Sequence, residues 1–160
     1  MASSEKNLST YQGGNLGNLV HKKIVLVVSE WNDEITNALY DGAYNTLIEH
    51  GATKENLTKI FVPGSFELPL AAKWYAESND IDAVICLGCV IQGETRHFDF
   101  ICQACADGVM KVGIDTGKPV IFGVLTTDNK KQALDRAGGR HGNKGDEAAI
   151  TAIKMLNIKP

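Results

Sequence analysis

The stretch Val84–Phe100, VICLGCVIQGETRHFDF, decides the fold. Its first part belongs to an apolar run, Ala83 to Ile91, of the kind that forms a strand buried on both faces. Gln92 and Gly93 break the run. Glu94, Thr95, Arg96 and His97 then lead into a long helical pattern reaching about Thr116. Ligands of open α/β sheets bind beyond the carboxyl ends of strands, where helix N-termini also favour anions. That position here offers a carboxylate, a hydroxyl, a guanidinium and an imidazole within four residues. Ordinary surface loops carry such residues too, so the reading rests on the other strand ends.

Working outward, the same strand-then-helix alternation recurs. Lys23 to Val28 (KIVLVV) is a continuous β-branched strand, and Asn32 is placed to cap a helix with the apolar stripe Ile35, Leu39, Ala43 and Leu47, stopped by Gly51. Leu57 to Val62 is the second strand. It stops at PGSFELP (63–69), where Gly64 permits a tight turn and Ser65 is placed to cap the next helix. Val120 to Leu125 is the fourth strand, followed by a helix capped by Thr127 and Asp128 and ending at Ala137-Gly138-Gly139. The glycine-rich basic segment RAGGRHGNKG (136–145) reads as a loop able to cradle an anion, and Asp146 opens a last helix through Ile150, Ile153 and Leu156. Four strand-helix units predict one domain, residues 21–160, with a four-stranded parallel, doubly wound sheet between helix layers. Residues 1–20, rich in Ser, Asn and Gly, read as a flexible arm ordered only by packing on a neighbour.

Composition excludes several classes. A chain of 160 residues with net charge −3 and no basic run beyond a Lys-Lys pair gives no footprint for nucleic acid. No apolar segment approaches the roughly 18 to 20 residues of a membrane span. The N-terminal segment has neither a signal-peptide core nor a transit-peptide pattern, so a cytoplasmic location is expected. Cys86-x-x-Cys89 and Cys102-x-x-Cys105 approach a zinc-ribbon spacing. In a strand, however, residues three apart face opposite ways, and the second pair lies on a helix as small buried hydrophobes, so no metal is expected.

Three side chains stand out near strand ends. Trp31 is either a lid on the core or a stacking platform for a planar ligand. Glu67 either complements a helix dipole or accepts ligand hydroxyls. Phe122, inside the fourth strand, reads by itself as core.

Taken together, SEWN (29–32), VPGSFELP (62–69), LGCVIQGETRHFDFI (87–101), PVIFGVLT (119–126) and RAGGRHGNKG (136–145) resemble the lumazine synthases over roughly residues 20 to 157. The resemblance implies a flavodoxin-like three-layer sandwich and a cofactor-independent condensation. In that family 5-amino-6-(D-ribitylamino)uracil joins L-3,4-dihydroxy-2-butanone 4-phosphate to give 6,7-dimethyl-8-ribityllumazine, phosphate and water, the penultimate step of riboflavin biosynthesis. It implies roles as well. Trp31 stacks on the pyrimidine, Asn32, Ser65, Phe66 and Glu67 meet the ribityl chain, and the backbone of Cys89, Val90 and Ile91 holds the uracil edge. Glu94, through its backbone N–H, Thr95 and Arg136 bind phosphate. His97 moves protons, with Asp99 or Glu94 as a neighbour that could tune it. Phe122 and Lys144, which also bind the ribitylaminouracil, come with Arg136 from an adjacent subunit. The implied partners are the two small-molecule substrates, further copies in a pentamer, and riboflavin synthase. The short Gly138–Lys144 join, without an insertion, implies closure of pentamers into a sixty-subunit icosahedral shell. Two other readings stay open: a flavodoxin-like flavin binder, although the first turn lacks a Ser/Thr/Gly-rich phosphate loop, and a non-catalytic shell or flavin and lumazine carrier of the same fold.

Overall fold

The apolar run around Cys86 forms β3 (Ala83–Ile91), one of the two inner strands of the sheet. A computed structural model describes residues 19–158; residues 1–18, and with them most of the expected arm, lie outside the described part. The other strands are β1 (Ile24–Ser29), β2 (Leu57–Val62) and β4 (Val120–Thr127), and the four lie in the order β2-β1-β3-β4 with every pairing parallel. The intervening helices are α1 (Asp33–Glu49), α2 (Leu68–Ala76) and α3 (His97–Thr116). A short α4 (Lys130–Leu134), the strands β5 (Ala137–Gly139) and β6 (Gly142–Asn143), and α5 (Lys144–Ile158) complete the chain.

Strand parity sorts the core into two layers. Ile24, Leu26, Val28, Ile85 and Leu87 face α1 and α5, whereas Val25, Val27, Val84 and Cys86 face α2 and α3. The predicted α1 stripe is buried in full, and Gly51, at φ 94°, ends that helix in the left-handed region. Each fully buried Ile, Leu or Val stabilises the sandwich by about 1.5–3 kcal/mol against exposure. Leu19 also packs into the α1–α5 layer.

Cys86 and Cys89 sit in opposite layers, as the strand argument requires. Cys105 is buried, but Cys102 is only half-buried. Burial pushes the thiols of Cys89 and Cys105 up to about 12, so both are neutral near pH 7.

Local chemistry differs from expectation at four joints. Asn32 stands before α1 but makes no side-chain cap; its amide is used elsewhere, as described below. Ser65 lies inside a 3₁₀ turn (Ser65–Glu67) whose preceding residue is Gly64, so it caps nothing. Asn129, rather than Thr127 or Asp128, caps α4: its Oδ1 accepts from Gln132 N at 2.9 Å while Gln132 Oε1 accepts from Asp128 N at 3.0 Å. Thr127 remains in β4. Segment 136–145 is a β5–β6 hairpin running into α5, which starts at Lys144, two residues before Asp146. The cause is Asn143, whose Oδ1 accepts from Gly145 N at 2.8 Å and whose Nδ2 donates to Ala38 O at 2.9 Å.

Candidate active site

A cavity of about 840 Å³ opens at the carboxyl ends of β1, β2 and β3. In the order β2-β1-β3-β4 the chain reverses its winding between β1 and β3, the place where doubly wound sheets leave a crevice. The backbone shows why. Pairing of β1 with β3 ends at Val28 and Leu87, whereas β3 pairs with β4 as far as Ile91 and Thr127. Val84 N donates to Pro119 O and Gln92 N to Thr127 O, so even-numbered residues of β3 turn their N–H groups toward β4. By alternation, Cys89 and Ile91 turn their backbone groups to the side that β1 has left, which is the cavity.

Asn32 spans this gap. Its Nδ2 donates to Cys89 O at 2.9 Å, tying the end of β1 to β3. It is the only non-glycine residue at positive φ (60°) among the described residues, a conformation that Asn tolerates better than most side chains. Two costs therefore meet at one position. Asn32→Ala is expected to destabilise by about 1–3 kcal/mol, losing the bridge and straining the backbone, while Asn32→Gly loses only the bridge and should retain more stability. Urea unfolding of the pair checks this; an alanine variant at least as stable as the glycine one would contradict it.

The cavity walls carry most of the predicted residues of this half of the site, though not Glu94 or Thr95. Trp31 is 73% exposed and so is no lid on the core. Phe66 lines the same opening and is exposed as well. Gly64 leaves room beside it: a Cβ there would lie 3.1 Å from Glu67 Oε2 and 3.5 Å from Trp31 Cδ1. Glu67 is thus folded over the turn toward the indole. Ser65 is buried, and its hydroxyl is without a hydrogen-bond partner among the described residues. It fits only because Gly88 has no side chain, since a Cβ there would stand 2.6 Å from Ser65 Oγ. Val90 and Ile91 are half-buried along the rim.

His97 starts α3 and points its exposed ring into the cavity. Its backbone N–H donates to Thr95 Oγ1 at 3.4 Å, which links the start of α3 to the loop holding the exposed Glu94 and Thr95. Asp99, expected as a possible neighbour for His97, pairs instead with Arg96 at 3.5 Å on the solvent side of the helix start.

Phe122, Arg136 and Lys144 do not line this cavity. Phe122 pairs with Cys86, four residues before Val90, which places it roughly 13 Å back along the sheet. It is 40% exposed on the edge strand, so it is not core. With Lys144 it lines a second groove of about 560 Å³ between α3, β4 and α5. Arg136 stands at the start of the hairpin, where its Nη1 donates to Gln132 O at 2.9 Å and its own carbonyl accepts from Lys144 N at 2.8 Å.

Gly64, Phe100 and Ile101 line the cavity without having been singled out as ligand contacts. For the last two the signal was present: they lie three and four residues after His97, on one helix face. Among the described residues no group of three or more His, Cys, Asp or Glu could hold a metal ion, and no helix is long and apolar enough to cross a membrane.

A polar and aromatic cavity at the winding reversal of a parallel sheet defines an α/β protein that binds a small molecule at its strand ends. The family model described as 6,7-dimethyl-8-ribityllumazine synthase matches residues 21–160, and the chain belongs to that family. It is similar to proteins named 6,7-dimethyl-8-ribityllumazine synthase from three bacteria. The Cytophaga hutchinsonii protein is 62% identical over 98% of each chain, and the Parabacteroides distasonis protein 50% identical over 99% of each. The Flavobacterium johnsoniae protein is 49% identical, over 99% of this chain and 84% of that one.

Proposed function

We propose that the protein is a lumazine synthase of riboflavin biosynthesis, a transferase that condenses 5-amino-6-(D-ribitylamino)uracil with L-3,4-dihydroxy-2-butanone 4-phosphate. The observation that carries this reading is the meeting, in one cavity, of an exposed indole, a strand end that β1 no longer pairs, a carboxylate and an imidazole. A planar pyrimidine stacks on Trp31 while its amide-like edge meets the backbone groups of Cys89 and Ile91. Val90, whose backbone faces β4, contributes side-chain surface. The ribityl chain runs toward Asn32, Ser65, Phe66 and Glu67. Asn32 gives its N–H to Cys89 O and so offers Oδ1, and the unpartnered Ser65 hydroxyl is a further polyol contact.

His97 is the proton carrier for imine formation and phosphate elimination. His97 lines the cavity, and an imidazole can both accept and donate a proton. Thr95, the Glu94 N–H and Arg136 hold the phosphate. Catalysis comes mainly from positioning and charge neutralisation, so His97→Ala should lower kcat by about 10²-fold or less, not abolish it. Single-turnover rates across pH 5 to 9 check this; a wild-type rate and pH profile in the variant would remove His97 from the proton path.

Phe122, Arg136 and Lys144 serve the cavity of a neighbouring copy. The exposed aromatics Trp31, Phe66 and Phe100 at one cavity, and the exposed Met110, Ile114 and Phe122 around the other groove, are two different apolar patches, as a head-to-tail ring requires. Five copies close the ring, and the short Gly138–Lys144 join lets pentamers assemble further into a sixty-subunit shell that can enclose riboflavin synthase. The assembly works in the cytoplasm.

The test is to mix purified protein with both substrates and follow lumazine absorbance and fluorescence against a no-protein control. Acceleration over background supports the synthase. An unaccelerated reaction from an assembled protein favours the carrier reading. Sedimentation giving a stable five-chain species would remove the shell but leave the enzyme.

A further inference from the structure

We infer that Glu147 is a positioning residue for Lys144, holding its ammonium at a fixed point in the groove beside Phe122. The inference rests on the proposal that Lys144 meets the ribitylaminouracil bound by a neighbouring copy. Lys144 Nζ and Glu147 Oε2 are 2.6 Å apart, one turn apart on α5, with side chains only 17% and 8% exposed. Both residues line the groove together with Phe122 and Ala148. The other ion pairs among the described residues involve at least one well-exposed partner and add little.

Burying a carboxylate is costly unless its oxygens are satisfied. Glu147 is only half satisfied, since Oε1 is buried without a hydrogen-bond partner among the described residues. A carboxylate kept for structure alone would have both oxygens paired, and an apolar side chain would pack there at lower cost. What the arrangement secures is the lysine. Its stem has four rotatable bonds and would otherwise sample much of the open groove. Glu147 takes one of the three ammonium donors and leaves two for a ligand.

The backbone under the pair is held from three sides. Asn143 bonds Gly145 N and Ala38 O, and Lys144 N donates to Arg136 O at 2.8 Å, so the start of α5, α1 and the hairpin move as one body. On that fixed backbone, Glu147 is the hydrogen-bond partner that holds the Lys144 ammonium. A preorganised charge binds its ligand more tightly than a mobile one because the ordering cost is met before binding.

The test compares Glu147→Gln, Glu147→Asp, Lys144→Ala and the double variant Lys144→Ala/Glu147→Gln, with sedimentation confirming assembly. Glu147→Gln should raise KM for ribitylaminouracil about tenfold with kcat within about twofold, and Glu147→Asp should recover part of the loss. The double variant should be no worse than Lys144→Ala, because Glu147 acts through that lysine. Additive losses, or a raised KM in Lys144→Ala with none in Glu147→Gln, would overturn the positioning role and leave the site reading intact. A normal KM in Lys144→Ala would overturn the role assigned to Lys144 itself. Loss of assembly in Glu147→Gln with a normal KM in Glu147→Asp would make Glu147 structural.

Discussion

Arg136→Ala should raise KM for the dihydroxybutanone phosphate by about 10²-fold and change KM for ribitylaminouracil little, as removal of a charge-assisted, two-pronged grip on a dianion requires. The guanidinium is prepared for that grip. Nη1 is anchored on Gln132 O of α4 at 2.9 Å, and no other side-chain hydrogen bond holds the guanidinium among the described residues. Arg136→Lys keeps the charge but not the planar fork, so it should fall between the two. Initial rates with each substrate varied in turn check the split. Equal effects on both KM values, or loss of the assembled state, would show that Arg136 builds the hairpin and does not hold phosphate.

The largest effect on stability is expected at Gly145. A Cβ there would fall inside the contact distance of the Leu39 carbonyl oxygen, 2.7 Å from Leu39 C and 3.0 Å from Asn143 Oδ1. Two of these atoms are backbone of α1, and Asn143 ties α1 and α5 together, so neither helix can back away. Gly145→Ala should therefore cost about 3 kcal/mol or more, at the upper end for overpacking. Gly93→Ala is the matched control, because no atom lies within 4 Å of its Cβ position, and it should change stability by no more than about 0.5 kcal/mol. Chemical unfolding of the two variants checks the contrast. If Gly145→Ala unfolds at the wild-type denaturant concentration, the close approach of α1 and α5 is wrong.

Much of the scaffold was legible because it depends on short-range pattern. The β-branched runs at Ile24–Ser29 and Ala83–Ile91 can only be buried strands, and the four-residue spacing of Ile35, Leu39, Ala43 and Leu47 can only face a sheet. The right-handed crossover rule then leaves few ways to connect them. Cap chemistry was less legible, since Asn, Asp, Ser and Thr compete at every joint. Asn129 and Asn143 won because partners distant in sequence, or a reciprocal Gln132, were within reach.

The site divides along the same line. The residue types at the strand ends, Trp31, Asn32, Glu67 and His97, were determined by the sequence alone, because a strand end followed by a helix start has one place to put them. That they share one cavity was decided by the strand order, which sets β1 between β2 and β3 and ends it before β3 does. Tertiary structure alone set Phe122 on the groove between α3, β4 and α5 and closed Glu147 against Lys144 there. The physical reason is range. Periodicity and propensity act over a few residues, whereas burial, ion pairing and the direction of a free strand edge depend on what the rest of the chain places opposite.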